Sequence, residues 1–203
     1  CSSISELRVF FPDAACILID IPIGLTDHTR PCDLEAKGLL GRWNSRVFLA
    51  PPRASISAPD YAAANEICRR VRGAGLSKQT WFIVPKIREV DEFIRADPKL
   101  RVLIRECHPE ICFAKLLGRV IPENKATEAG YAARTEALAR VMNEPREWIE
   151  YTLPTLGRAA ARDDLVDALI AAWCAAGSDS ERFSLGAGIH DPAYLQFLEH
   201  AWD

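Results

Sequence analysis

Two acidic residues follow apolar segments that have the composition of buried strands. Asp20 ends the run of residues 14–19, and Glu106 ends the run of residues 101–105. An apolar run without alternation is typical of a strand buried on both faces, as in a parallel sheet. Loops that leave the carboxyl ends of such strands form the usual binding crevice of an open α/β sheet. If the two strands are adjacent and parallel, Asp20 and Glu106 emerge at the same edge.

A third group of acids lies at the start of a predicted helix, residues 162–176, which is apolar almost all round and therefore expected in the interior. Its first turns carry Asp163, Asp164 and Asp167, and Asp167 shares a face with the other two because they precede it by four and three residues. Carboxylates brought together repel one another unless a cation neutralises them. A helix presenting Asp164 or Asp167 over the strand edge would complete a carboxylate cage.

Hard divalent ions suit such a cage, because Mg²⁺ and Mn²⁺ prefer oxygen ligands and leave positions open for phosphate oxygens. We therefore expect Asp20, Asp164 and Asp167 as metal ligands, and Glu106 as a ligand or base. The alternative is structural: Asp20 would only cap the following Pro-x-Gly turn, and the helix-start acids would only favour the helix dipole. Asp167 fits the alternative less well, because a buried carboxylate without a partner is costly.

Candidate substrate-binding residues are basic and lie near predicted strand ends. Arg42 and Arg53 belong to a small basic cluster beside Trp43, Lys86 follows a predicted strand, and His108 follows Glu106. Guanidinium and ammonium groups bind phosphate. The arginines and Lys86 could equally be plain surface residues, and the histidine could be a ligand, a proton shuttle or a structural residue.

The apolar periodicity predicts an α/β chain. Strands are predicted at 17–20, 81–84 and 101–107, with 47–49 a short strand or extended segment. Helices are predicted at 2–8, 31–40, 59–71, 88–96, 110–117, 125–141, 145–151, 162–176 and 191–200. The length of 203 residues suits one substantial domain over 1–203, with 178–203 as a C-terminal helical extension.

Composition limits the class of protein. The chain is 49% hydrophobic and 26% charged, which is typical of a globular protein, and a net charge of −3 gives no global basic surface. A nucleic-acid partner would therefore need a local basic patch. Seven cysteines without a CxxC pair indicate reduced, buried thiols, and we expect a cytoplasmic protein that does not cross a membrane.

Six segments together resemble the domain-of-unknown-function family 429, which is described as predicted nucleases with an RNase H-like fold. The resemblance runs in order from about Ser3 to Ala176. It is carried by IDIPIGL at 19–25, LGR, VF and PPR between 40 and 53, SKQ at 77–79, PKIREVD at 85–91, ECHPE at 106–110 and DDLVDA at 163–168.

The resemblance implies an RNase H-like α/β domain with a central mixed, mostly parallel sheet flanked by helices. It also implies that Asp20, Glu106 and the Asp164/Asp167 pair match the family's acidic positions. Family members usually begin with a strand carrying a Gly-x-Asp-Gly type motif, and nothing like it precedes Asp20. Either the strands with that motif lie upstream of Cys1, or the protein lacks them.

Two hypotheses follow. The first is a Mg²⁺- or Mn²⁺-dependent nuclease or phosphodiesterase, a hydrolase acting on nucleic acid. The second is a non-catalytic binding or assembly protein that retains the fold with an incomplete acidic site. A phosphotransferase of the related actin-like type is disfavoured, because no Gly-rich phosphate loop is present. A missing edge hairpin would expose a sheet edge, and a homodimer is the expected assembly.

Overall fold

The computed structural model describes residues 3–97 and 99–177. They form two compact units, one running through Glu106 and the other starting at Cys107. The single domain expected over 1–203 stays a prediction. The expected C-terminal extension, 178–203, and its helix at 191–200 lie outside the described residues.

The first unit combines five helices with a pair of strands in the part of the chain that is described. The helices are α1 (Ile4–Phe10), α2 (Pro31–Leu40), α3 (Tyr61–Arg72), α4 (Lys78–Ala96) and α5 (Leu100–Leu103). The strands are β1 (Ile17–Ile19) and β2 (Ile104–Glu106), and short 3-10 helices cover Gly41–Arg46 and Arg53–Ser55. The first unit is thus predominantly helical with one pair of strands, which agrees with the predicted α/β class.

The two strands pair in parallel, with Ile17 opposite Ile104 and Ile19 opposite Glu106. The sheet has two strands in the described residues, so it is much smaller than the central sheet that the sequence led us to expect. Ile17 and Ile104 are buried in one apolar cluster with Ile4 and Ile23. This cluster holds the strand pair against α1 and α4.

Helix α4 packs into the apolar core of the first unit along most of its length. Val90 and Ile94 pack into the cluster around the strands. Val84 and Ile87 pack into a second cluster with Leu25 and neighbouring residues. Together these four side chains give α4 a buried face along most of its length.

One predicted strand is wrong. Residues 81–84 lie inside α4, although the aromatic and β-branched run Trp81–Val84 and the following Pro85 predict a strand that ends at a proline. Ser77 caps the helix by accepting a hydrogen bond from the Thr80 amide at 3.0 Å. This cap and the burial of one side of the run outweigh its strand propensity.

Two other predictions concern short or shortened strands. Of the two alternatives for residues 47–49, a short strand or an extended segment, the second agrees with the structure: Val47 is extended, with φ −99° and ψ 117°. The strand expected at 101–107 is shorter, because Leu100–Leu103 form a helical turn before Ile104–Glu106. The apolar run therefore changes conformation in its middle.

The second unit is helical in its described residues. It consists of α6 (Pro109–Leu117), α7 (Glu128–Leu138), α8 (Pro145–Leu156) and α9 (Arg162–Ala176). Helix α9 packs against the other three and buries Leu165, Val166, Leu169 and Ile170. Its other side, with Ala168 and Ala172, is exposed, so the helix predicted in the interior is buried on one side only. The bounds predicted for α2 and α9 agree with the structure, whereas α7 is shorter than the predicted 125–141.

None of the helices among the described residues combines the length and the apolar character that a membrane crossing demands.

Substitution of Gly130 in α7 tests how closely the second unit is packed. A Cβ atom at this position would overlap the Asn124 carbonyl, whereas a Cβ at Gly38 in α2 would meet nothing within 4 Å. We expect Gly130→Ala to lower the free energy of unfolding by about 3 kcal/mol because the backbone must move. Gly38→Ala should leave it unchanged or raise it by up to about 1 kcal/mol. Urea denaturation measures both, and equal stability of the two variants would contradict the packing described.

Candidate functional site

Asp20 and Glu106 lie at the same end of the parallel strand pair, as predicted. Glu106 is the last residue of β2 and stands opposite Ile19, and Asp20 is the residue that follows Ile19. Asp20 is exposed, whereas Glu106 is partly buried. The first unit therefore presents one solvent-accessible carboxylate and one sheltered carboxylate at the carboxyl ends of its strands.

The carboxylate of Glu106 is held by three donors. The Arg30 guanidinium donates to Oε2 at 2.7 Å and to Oε1 at 2.9 Å. The Ile23 amide donates to Oε2 at 2.9 Å. Glu106 therefore fastens the loop that follows β1 to the end of β2, a structural role that accounts for both of its oxygens.

Arg30 is the centre of this network and has a relative exposure of only 2%. Besides Glu106, its guanidinium contacts the Asp33 carboxylate and donates to the Ile23 carbonyl at 2.5 Å. The other oxygen of Asp33 accepts from the Ala50 amide at 2.8 Å. One buried cation thus pairs with two carboxylates. The cluster ties together β2, the loop after β1, the start of α2 and the segment at Ala50.

Cys32 lies beside this cluster, between Arg30 and Asp33 in the chain. Burial raises the pKa of its thiol to about 12, and the nearby Glu106 and Asp33 carboxylates add to the rise while Arg30 opposes it. The thiol stays protonated at neutral pH. Cys32 is therefore not a thiolate nucleophile in this structure.

In the second unit, Asp167 binds Lys125. The Lys125 ammonium donates to Oδ2 of Asp167 at 2.6 Å and lies 3.6 Å from Oδ2 of Asp163. Oδ1 of Asp167 is buried and has no hydrogen-bond partner in the described part of the chain. Burial raises the pKa of Asp167, although the Lys125 hydrogen bond opposes the shift. This carboxylate is thus only partly compensated by its protein partner.

Asp164 has a different role from Asp167. Its Oδ2 accepts a hydrogen bond at 2.7 Å from the backbone amide of Ala161, the residue that precedes α9. The carboxylate is exposed. This contact is the helix-start role that the structural alternative assigned to the acids of α9.

A buried ion pair that the sequence analysis missed lies in the same unit. The Arg134 guanidinium, with a relative exposure of 1%, contacts the carboxylate of Glu110 and donates to the carbonyl oxygens of Gly130 and Glu123 at 3.0 and 3.2 Å. It also lies 5.8 Å from the centre of the Phe113 ring. The acidic residues near the start of α6 made Glu110 recognisable in the sequence. Nothing in the sequence indicated that Arg134, 24 positions later, is its partner.

The four predicted substrate-binding residues differ in how firmly they are held. Arg53 donates to both oxygens of Asp91, at 3.0 and 2.8 Å, and to the Leu25 carbonyl at 3.1 Å. Lys86 makes an exposed ion pair with Glu89 at 2.9 Å. The part-buried ion pair with Asp91 holds Arg53 in place, whereas the ion pair of Lys86 is exposed and contributes little to stability.

Arg42 and His108 are the other two predicted substrate-binding residues. The exposed Arg42 guanidinium lies 4.1 Å from the centre of the Trp43 ring, and Arg46 lies 5.9 Å from it. His108 immediately precedes α6, and its Nδ1 is buried without a hydrogen-bond partner in the described residues. Arg42 is thus a predicted phosphate ligand at the surface.

No three His, Cys, Asp or Glu side chains of the described residues are arranged as a group that could hold a metal ion. Asp20 and Glu106 belong to the first unit, and Asp164 and Asp167 belong to the second. Within each unit the acids lie close in the chain or across the strand pair. The three-carboxylate cage expected from the sequence stays a prediction.

Comparison with protein families identifies the family of this chain. The family described as "Protein of unknown function (DUF429)" matches residues 1–187. The chain therefore belongs to the DUF429 family, as its motifs predicted. The searches of curated proteins and of solved structures gave no match.

The Arg30 network gives a prediction for stability. Arg30→Met removes the buried cation and leaves Glu106 and Asp33 without compensation, so we expect the free energy of unfolding to fall by about 3–5 kcal/mol. Lys86→Met removes a cation from an exposed pair and should cost less than about 1 kcal/mol. Urea denaturation compares the two variants. Equal losses would show that Arg30 does not hold the first unit together.

Asp167 gives a prediction for pH dependence. Its pKa is raised above 3.8 in the folded protein, so the folded state binds the proton more tightly than the unfolded state does. The ionised carboxylate therefore lowers stability at neutral pH, and this loss disappears as the pH falls through the raised pKa towards 3.8. Asp167→Asn should be most favourable relative to the wild type at neutral pH, with the difference shrinking on acidification.

Urea denaturation across this pH range measures the difference. Asp163→Asn is the control for removing a carboxylate near Lys125, since Asp163 is on the same helix but has a more exposed side chain. A difference for Asp167→Asn that grows as the pH falls would contradict the assigned direction.

Proposed function

We propose that this protein is a divalent-metal-dependent nuclease or phosphodiesterase that acts on nucleic acid and has an RNase H-like fold. The observation that carries the proposal is the parallel pairing that places Asp20 directly after the residue opposite Glu106. Acids at the carboxyl ends of neighbouring parallel strands are where an open α/β structure collects its chemistry. The motif resemblance that correctly indicated the DUF429 family supports the same activity.

In this proposal Asp20 is a metal ligand, because its carboxylate is exposed at the strand end. Mg²⁺ or Mn²⁺ would supply an activated water and stabilise the leaving oxygen of a phosphodiester. Glu106 acts mainly by position: its bonds to Arg30 and to the Ile23 amide fix the loop that Asp20 begins. Because Glu106 lies at the strand end, it is also a candidate metal ligand or general base.

The carboxylate of Asp167 fits a cation ligand on two observations. Oδ1 is buried without a partner in the described residues, and the raised pKa shows that Lys125 does not fully offset the cost of burying the charge. An added divalent cation would favour the ionised form. Because the Lys125 ammonium already lies against Asp163 and Asp167, an ion bound by these carboxylates must compete with it.

Phosphate binding is assigned to Arg42 and Lys86 in this proposal. Arg42 is exposed beside Trp43, and the pair between Lys86 and Glu89 is at the surface. Arg53 is better explained as a structural residue, because its ion pair with Asp91 and its hydrogen bond to the Leu25 carbonyl fix its position. His108 is a further candidate, because its buried Nδ1 has no partner within the described residues.

A second candidate is the non-catalytic binding or assembly protein, which a specific observation favours. Three of the predicted catalytic acids already make structural contacts: Glu106 with Arg30, Asp167 with Lys125, and Asp164 with the Ala161 amide. A carboxylate bound by an internal cation has less need of a metal ion. In this second candidate the acids have only these partners within the protein, and metal binding is absent.

Mn²⁺ titration calorimetry separates the two candidates. The nuclease proposal predicts binding by the wild type that Asp20→Asn weakens by more than about tenfold. Asp60→Asn is a matched control, because Asp60 caps α3 through the Ala63 amide and asparagine caps helices equally well. Lys125→Gln removes the competing ammonium and should tighten binding if Asp167 is a ligand.

Cleavage of labelled single- and double-stranded oligonucleotides with Mg²⁺, Mn²⁺ or EDTA then tests the activity. We expect metal-dependent cleavage that Asp20→Asn abolishes while the circular dichroism spectrum stays that of the wild type. Cleavage unaffected by Asp20→Asn would disprove the assigned role of Asp20. No Mn²⁺ binding at millimolar metal would favour the non-catalytic candidate.

A further inference from the structure

Three cysteine thiols meet in the second unit. Cys107 directly precedes α6, Cys112 lies within α6, and Cys174 lies on α9, which packs against α6. The Sγ atoms of Cys107 and Cys112 are 3.4 Å apart, and the Cys174 thiol is in hydrogen-bonding contact with Cys112. None of the three is in a disulfide. Cys112 therefore lies between two possible disulfide partners.

Burial differs among the three thiols. Cys107 and Cys112 are each only 6% exposed, whereas Cys174 is half-buried. Hydrogen bonds with Cys107 and then Cys174, together with burial, raise the pKa of Cys112. Cys107 and Cys112 are shielded from solvent, so an oxidant in solution does not reach them first. The more accessible Cys174 is better placed for that step.

We propose that Cys107, Cys112 and Cys174 form a peroxide-sensitive thiol relay that ends in a Cys107–Cys112 disulfide. The proposal is independent of nuclease activity. A disulfide requires sulfur atoms about 2.05 Å apart. The Cys107 and Cys112 sulfur atoms start 3.4 Å apart, close to this distance.

The first step oxidises Cys174. Its thiolate sulfur attacks one oxygen of hydrogen peroxide, so that an S–O bond forms and the O–O bond breaks. The hydroxide released takes up a proton to give water, and Cys174 becomes a sulfenic acid. The sulfur loses two electrons and peroxide gains them.

Two further steps move the oxidation to the buried pair. The Cys112 sulfur attacks the Cys174 sulfur, forming an S–S bond and releasing the hydroxyl group, which leaves as a second water with the Cys112 proton. The Cys107 sulfur then attacks the Cys112 sulfur, and Cys174 leaves and takes the Cys107 proton. In total, two thiols lose two electrons and two protons, and peroxide is reduced to two waters.

Peptide mapping of the full chain tests the relay, because trypsin cleavage after Arg105 and Lys115 places both buried cysteines in the peptide 106–115. The protein is treated with hydrogen peroxide, denatured and alkylated with iodoacetamide before digestion. We expect this peptide to appear without alkylation and lighter by two hydrogen atoms, and to become doubly alkylated after dithiothreitol. Cys68, buried in α3, is the control thiol and should remain alkylated.

Cys174→Ser tests the order of the steps. We expect it to abolish most of the disulfide-containing peptide over the time in which the wild type is converted, whereas Cys16→Ser, which removes a half-buried thiol of the first unit, should not. A peptide 106–115 that stays fully alkylatable after Cys174 is oxidised would overturn the proposal. Conversion at the wild-type rate in Cys174→Ser would overturn the relay.

Discussion

The first unit depends on the burial of one positive charge. A guanidinium removed from water is stable only with compensating acceptors, and Arg30 finds them in two carboxylates and a backbone carbonyl. These acceptors come from separate stretches of the chain, at Ile23, Asp33 and Glu106. The strand ends, the loop after β1 and the start of α2 are therefore fixed by the same electrostatic requirement. A residue that looks catalytic in the sequence, Glu106, is also a principal structural contact.

The second unit follows the same rule with different residues. Arg134 is buried against Glu110, and Lys125 lies against Asp163 and Asp167. Acids at the starts of α6 and α9 thus have cationic partners supplied by α7 and by the segment before it. Any external cation that binds these carboxylates must compete with a tethered one. Metal affinity would then depend on the partner lysine as much as on the ligands themselves.

The sequence predicted elements whose signals are local. Helix α2 begins with a proline and ends at a glycine, and α9 is a long apolar run that follows a break, so both bounds were correct. The common end for Asp20 and Glu106 followed from two buried runs that each finish with an acid. Residues 81–84 were misassigned because strand propensity and a following proline outweighed the Ser77 cap in the prediction, whereas burial of one helical face decides in the structure.

The partners of the acids could not be predicted. Arg30 and Glu106 are 76 positions apart, and Lys125 and Asp167 are 42 apart. No periodicity or motif connects residues at such distances, because their contact depends on the packing of several elements. The candidate acids were therefore recognisable from the sequence, but the charge that each one faces was not. That charge decides whether a carboxylate is available for chemistry.

Helix α4 makes the first unit a cooperative structure. Its residues reach three apolar clusters in turn: Trp81 packs beside Leu76 and Cys68, Val84 and Ile87 beside Leu25, and Val90 and Ile94 beside the strands. Loss of any one cluster exposes part of the same helix and weakens its hold on the other two. Local opening at one end of α4 therefore costs free energy in all three clusters. Amide protons in the three clusters should exchange through a shared unfolding event.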